Sequence, residues 1–231
     1  MNKGDKMNIE FATMLIDKAL KKGADEVEVF IKTSKNFGIE VRDQKIDTFE
    51  KSFTNGYGIR IINDNRLGFS YSTDLKDEDS VVNNAIEASR YSNTDEYLGL
   101  PEMSLPSSGI NIFDEDILNL SEEEAFNMVM TMESSALRED KRVRKARKTY
   151  GSFSVNNTYI ANSKGISIHY ASTTCSAQIM VIAEDERESQ MAWDFQGSRF
   201  LKDICFEDIG KKAAQKAIQL LGARKINPIK G

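Results

Sequence analysis

Apolar positions along the chain switch between two periods, and each switch marks a predicted element. Ile9, Ala12, Leu15, Ile16, Ala19 and Leu20 recur at helical spacing behind Asn8, a residue type that caps helices, and the run stops at Gly23 with Lys21 and Lys22 in its last turn. This predicts a first helix. Val27, Val29 and Ile31 then alternate with Glu26, Glu28 and Phe30, and similar alternation covers Ile39 to Val41, Ile46 to Phe53, Tyr57 to Ile62 and Leu67 to Tyr71. The polar breaks Asp43-Gln44-Lys45, Asn55-Gly56 and Asn63-Asp64-Asn65 are hairpin formers, so these strands are predicted to make an antiparallel meander. A second helix follows from Asp77 to about Tyr91, with Val81, Val82, Ala85, Ile86 and Ser89 on one face.

The period is lost from Ser92 to Asn119, which holds Pro101 and Pro106 and reads as a long surface connector. Ser121 and Glu124 form a capping box for a helix whose apolar stripe is Ala125, Met128, Val129, Met132 and Ala136. Alternating runs return over Val143 to Val155, Asn157 to Asn162, Ile166 to Ala171 and Cys175 to Ala183, with turns at Asn156-Asn157 and at Asn162-Ser163-Lys164-Gly165. A last helix spans about Glu207 to Leu221, with Ile209, Ala213, Ala217 and Leu220 in register and Gly222 as its stop. The pattern predicts an α+β protein of two similar helix, antiparallel β-meander, helix units. They occupy residues 1–95 and 121–225, a connector covers 96–120, and 226–231 begins a linker. Residue identity between the halves is too weak to prove duplication, and a single long sheet drawing strands from both halves fits the same pattern.

Composition narrows the class. With 231 residues, 40% of them hydrophobic, the chain has enough apolar matter for a sizeable core. A charged fraction of 29%, a mean hydropathy of -0.46 and no apolar run near the roughly 20 residues that span a bilayer argue against membrane insertion. The polar start, Met1 to Lys6, lacks a secretory signal's apolar core, which points to the cytoplasm. Cys175 and Cys205 have no CxxC spacing and read as reduced thiols. A net charge of -5 has the wrong sign for a surface wrapped on phosphate backbone, so any nucleic-acid contact is local.

Few residues invite chemistry. His169 is the one histidine, without partners at zinc-ligand spacing, and alternation would turn it outward with Ile166, Ile168 and Tyr170 facing in. No Ser-His-Asp or Cys-His site can be assembled, and no phosphate-binding loop is present; Asn55-Gly56-Tyr57-Gly58 reads as a hairpin turn. No catalytic, cofactor-binding or metal-binding residue is therefore assigned. The densest charge feature is the run Lys141, Arg142, Arg144, Lys145, Arg147 and Lys148, a candidate contact for nucleic acid or an acidic partner, with a solvated strand face as the plainer role. Glu184-Asp185-Glu186-Arg187-Glu188 reads as a hydrated hairpin tip that could neutralise that run or hold a hard cation. Met191, Trp193 and Phe195 read as core, with an exposed contact patch as the alternative.

Several segments, in order, resemble the N-terminal domain of the TldD/PmbA family of "modulator of DNA gyrase" proteins. They are Ala19 to Val29, Gly38 to Arg42, Gly56 to Arg60, Gly68 to Leu75, Ala161 to Gly165, Val181 to Asp185 and Leu221 to Lys225. The resemblance implies a cytoplasmic subunit of a zinc metalloprotease system that processes peptides and unfolded proteins. TldD-like members carry an HExxxH zinc motif in a C-terminal domain. This chain has no HExxxH, and Met191 to Phe195 and Leu221 to Lys225 are similar to the PmbA-like branch, so the resemblance implies a non-catalytic half that shapes substrate access and subunit contacts. Zinc is then expected only in a TldD-like partner or in a catalytic C-terminal domain. The partners implied are a TldD-like subunit or a second copy of this chain, with a peptide or unfolded protein as substrate and no membrane. Self-association is expected through uncovered apolar surface or strand edges. The alternative reading is a module that contacts DNA or gyrase through the basic run.

Overall fold

A computed structural model of the chain describes residues 3–102 and 109–224. The expected linker, 226–231, and residues 103–108 of the expected connector lie outside the described residues. The helices are α1 (Lys3–Lys21), α2 (Glu78–Arg90), α3 (Glu115–Asn119), α4 (Glu122–Glu139) and α5 (Phe206–Leu220). The strands are β1 (Glu26–Arg42), β2 (Lys45–Asn63), β3 (Arg66–Ser72), β4 (Val143–Asn162), β5 (Ser167–Glu184) and β6 (Ser189–Ser198). They form one six-stranded sheet in the order β3-β2-β1-β4-β5-β6, with β2–β3 and β5–β6 antiparallel. The chain is thus α+β, and a single sheet does draw strands from both halves.

Local signals placed most ends correctly. Ser121 caps α4, its side chain accepting from the Glu124 amide while the Glu124 carboxylate accepts from the Ser121 amide. Gly23 and Gly222 stop α1 and α5 at φ +97 and +77, a region open to glycine at little cost. Asp43-Gln44 and Asp64-Asn65 both take left-handed backbone, the conformation that lets a two-residue turn follow the right-handed twist of its strands.

Several expectations fail for tertiary reasons. Helix α1 begins at Lys3, so Asn8 is inside it and not its cap. Glu115–Asn119 of the connector is a short helix that buries Ile117. Asn55-Gly56 and Asn156-Asn157 are not turns; they lie inside β2 and β4 with no positive φ. Ile168 and Tyr170 are exposed, at 49% and 41%, as is Leu220 at the end of α5.

The described chain divides into two compact units, each with its own core. The first is Met1–Lys35, Phe53–Asn111 and Asn156–Ala171; the second is Asn36–Ser52, Ile112–Val155 and Ser172–Gly231. In the first, α1 and α2 bury Leu15, Ala19, Val82 and Ala85 with Val27, Val29, Ile59 and Ile61, and Tyr159 and Ala161 of the β4–β5 hairpin complete the cluster. In the second, α4 and α5 bury Val129, Met132, Ile209 and Ala213 with Phe153, Ile179 and Val181, and Ile39 and Val41 of the β1–β2 hairpin complete it. Each half of the sequence therefore lends its hairpin tip to the other half's core.

The halves also share a device too short to stand out in the sequence. Ser72-Thr73-Asp74-Leu75-Lys76-Asp77 and Ser198-Arg199-Phe200-Leu201-Lys202-Asp203 both read Ser-x-x-Leu-Lys-Asp after the last strand of their half. Ser72 Oγ donates to the Asp77 carboxylate at 2.7 Å and accepts from the Asp74 amide at 3.0 Å. Ser198 Oγ repeats this with Asp203 at 2.9 Å and the Phe200 amide at 3.1 Å. The same residues in the same bonds at equivalent positions mark the halves as structural repeats.

Candidate functional site

The basic run emerges from α4 through a turn at Asp140–Lys141 into β4. Val143, Ala146 and Thr149 are buried, and between them the strand displays two exposed pairs of cations, Arg144-Lys145 and Arg147-Lys148. Arg142 does not belong with them. Its Nε and Nη2 donate to the Asp140 carboxylate at 3.0 and 2.8 Å, and its amide donates to the same group. These bonds pull the Asp140 carboxyl down to about 2. Because the folded pKa is depressed, the clamp is present above the ordinary carboxylate range and is lost as pH falls towards that value. Lys148 instead places its ammonium over an aromatic face, 5.3 Å from the Tyr150 ring centroid.

The acidic stretch is a hairpin tip, as expected. The Asp185 carboxylate accepts from the Arg187 and Glu188 amides at 2.8 and 3.0 Å, a local turn bond. Those bonds lower its pKa, with smaller contributions from the charges of Arg187 and Arg142.

The aromatic residues of β6 overturn the core reading. Trp193 is 54% and Phe195 58% exposed, Met191 is exposed beside them, and the two rings stack at 5.4 Å. Two concavities meet at Trp193. One, of about 490 Å³, is bounded by Met191, Trp193 and Phe195 on one side and by Lys216, Gln219 and Leu220 of α5 on the other. The second, of about 280 Å³, is lined by Lys148, Gln178, Ile179, Met180 and Trp193. The structure thus brings Lys148 of the basic run to the aromatic strip, a juxtaposition no sequence spacing announced. In the first unit, Phe30, Phe69 and Tyr71 wall a comparable concavity over Gly56 and Gly58. A Cβ on Gly58 would lie 3.1 Å from the Phe69 ring, which gives Gly58 a packing role in a strand.

His169 stacks on Tyr159, centroids 4.2 Å apart and planes within 9°. Among the described residues no group of three or more His, Cys, Asp or Glu side chains is arranged to hold a metal ion. Both cysteines are free thiols, Cys175 buried and Cys205 exposed. Burial pushes the Cys175 thiol up to about 11, against a smaller opposing effect of its bond to the Ser198 carbonyl. A chromogenic disulfide reagent at neutral pH is therefore expected to titrate one thiol quickly, lost in Cys205→Ser, and a second only in denaturant. Rapid reaction of both would contradict the burial. Among the described residues no helix is long and apolar enough to cross a membrane.

Comparison with known proteins covers both halves. The family model described as PmbA/TldA metallopeptidase domain 1 matches residues 27–90, and that described as PmbA/TldA metallopeptidase central domain matches residues 115–221. The Metalloprotease PmbA homolog of Buchnera aphidicola subsp. Acyrthosiphon pisum (strain APS) is 32% identical over 213 residues, 88% of this chain and 47% of that protein. This chain spans about half the length of the curated relatives it matches. Among solved structures, a candidate modulator of a DNA gyrase from Thermotoga maritima has a TM-score of 0.83 at 21% identity, covering 94% of this chain and 49% of that one. TldE from Thermococcus kodakarensis has a TM-score of 0.79 at 19% identity, covering 90% and 47%. At these identities the two structures speak for the fold. With two domain models of one family matched in order along the sequence, the chain belongs to the PmbA/TldD family.

Proposed function

We propose that this chain is the N-terminal half of a PmbA-like subunit in a zinc metalloprotease system that processes peptides and unfolded proteins, and that it has no catalytic centre of its own. The observation that carries this reading is the ordered match to both metallopeptidase domain models, on a chain whose residues include no HExxxH and one histidine, already stacked on Tyr159. Zinc and the hydrolytic step then belong to a TldD-like partner or to a catalytic C-terminal domain, and this half shapes substrate access and subunit contacts. Elemental analysis of the purified chain is expected to find substoichiometric zinc, and the chain alone is expected to leave an unfolded peptide uncut. Mixing it with a TldD-like subunit is expected to yield a complex on a sizing column. Stoichiometric zinc, or cleavage by the chain alone, would remove the reading. The rival, contact with DNA or gyrase, is favoured only by the exposure of Arg144, Lys145, Arg147 and Lys148.

A further inference from the structure

We propose that residues 225–231 of this chain seat themselves in the groove between β6 and α5, with Ile226 and Ile229 against Met191 and Trp193. Helix α5 runs back beside β6, and three bonds set the register of the two. Gln196 Oε1 accepts from the Cys205 amide at 2.9 Å at one end, Lys216 Nζ donates to the Asp194 carboxylate at 2.6 Å further on, and the Gly222 amide donates to the Glu188 carboxylate at the other end. The groove lies between the last two bonds and follows the free edge of β6. Its charges are already matched, since Lys216 Nζ reaches the Trp193 carbonyl at 3.5 Å as well as the Asp194 carboxylate. What remains open is apolar: Met191, Trp193 and Leu220 are 49%, 54% and 44% exposed. A surface of this kind takes an apolar occupant.

The end of α5 delivers one to its mouth. Leu221, at φ -65 and ψ 133, and Gly222, at φ +77, take the torsions of a type II turn, and the Ala223 amide closes it on the Leu220 carbonyl at 3.3 Å. The chain therefore does not run on along the helix axis. The side to which it turns is set by Glu188, the residue before β6, whose carboxylate holds the Gly222 amide. Leu220, the first residue of that turn, is itself a wall of the groove. Lys225-Ile226-Asn227-Pro228-Ile229 then carries apolar side chains in the order such a groove accepts. Proline and the residue before it favour extended backbone, and in polyproline II geometry, at three residues per turn, Ile226 and Ile229 share one face. Segments of that form dock on aromatic-lined grooves. Extended, residues 225–231 reach up to about 23 Å, and Met191 to Phe195 span about 13 Å of β6. Lys225 would enter beside the acidic hairpin tip to which Glu188 belongs. This is a contact the chain makes with itself, so it stands independently of the substrate and subunit reading above. Any partner that reaches Trp193 then has to displace it.

Trp193 is the one tryptophan of the chain and reports directly on its cover. Removing residues 225–231 is expected to shift its emission to the red and to strengthen quenching by acrylamide, with the far-ultraviolet circular dichroism unchanged. The double substitution Ile226→Ser, Ile229→Ser should produce the same red shift in a chain of unaltered length. Lys230→Ser should leave the emission of the parent as it is. The proposal is overturned if truncation and the double substitution both leave the emission unmoved, or if Lys230→Ser shifts it as far as the double substitution does. Emission of the parent chain that moves to the red on dilution would overturn it too, since a second copy would then cover the groove.

Discussion

Gly210→Ala is expected to lower the stability of the chain by about 3 kcal/mol, read from the midpoint of urea unfolding. Gly210 sits on the face of α5 that meets α4, and a Cβ there would land on the Met132 carbonyl oxygen and Ser135 Oγ, with the Ala136 amide nitrogen 3.1 Å away. Two of these three obstacles are backbone, so no side-chain rotation clears the space, and the helices must separate. That separation would also break the bond of Ser135 Oγ to the Glu207 carbonyl of α5, 2.9 Å, leaving only its bond within α4 to the Met132 carbonyl. Alanine's better helix propensity opposes the loss by only about 1 kcal/mol. Gly68→Ala should behave alike in the first unit, where the added carbon would meet the Ala85 carbonyl. Gly99→Ala, with nothing within 4 Å, is the control and should stay within about 0.5 kcal/mol of the parent. A Gly210→Ala chain as stable as the control would show that α4 and α5 are not this close.

Removing the carboxylate of Glu133 is the other large effect. Glu133 is 1% exposed in α4, yet its oxygens accept three hydrogen bonds from the β1–β2 turn. They come from the Asp43 amide at 3.1 Å, the Gln44 amide at 2.8 Å and Gln44 Nε2 at 2.6 Å. Ser134 Oγ also bonds Gln44 Oε1, so two successive residues of α4 grip the same turn. Asp43 and Gln44 hold φ of +53 and +59, a conformation that costs a side-chain-bearing residue roughly 1 kcal/mol or more and persists where surrounding bonds enforce it. Glu133→Ala is expected to cost about 3 to 4 kcal/mol, because donors lose a charged acceptor inside the fold. Glu133→Gln, which keeps the shape and one acceptor oxygen, should cost about half as much. Hydrogen exchange at the Asp43 and Gln44 amides should speed up more than at Ile59 or Ile61. A Glu133→Ala loss below about 1 kcal/mol, or uniform exchange, would show that the turn holds itself.

Of the candidate site, the cations of β4 and the aromatics of β6 were each visible in the sequence, and their meeting was not. Lys148 and Trp193 are separated in sequence by most of β4, the whole of β5 and two turns, and they share a concavity because β5 lies between them with Met180 paired to Trp193. Trp193 looked like core because a large apolar ring normally gains most from burial. Only its place on an edge strand, on the face that α5 does not cover, leaves it exposed.

What the sequence determined by itself was local. Helix periodicity, the Ser121 cap, the glycine stops and the Asp43-Gln44 and Asp64-Asn65 turns depend on bonds and torsions within a few residues, so residue order suffices to fix them. Continuity of the long strands was a tertiary decision. In β1, Val27, Val29 and Ile31 pack into the first core and Ile39 and Val41 into the second, and between them the regular alternation is interrupted, with Ser34 and Gly38 buried out of step. An interrupted period-two pattern reads in sequence as a break, although the backbone stays extended from Glu26 to Arg42. The same holds for Glu133, whose burial looks forbidden to a charge on a helix until the turn of a distant hairpin supplies its donors.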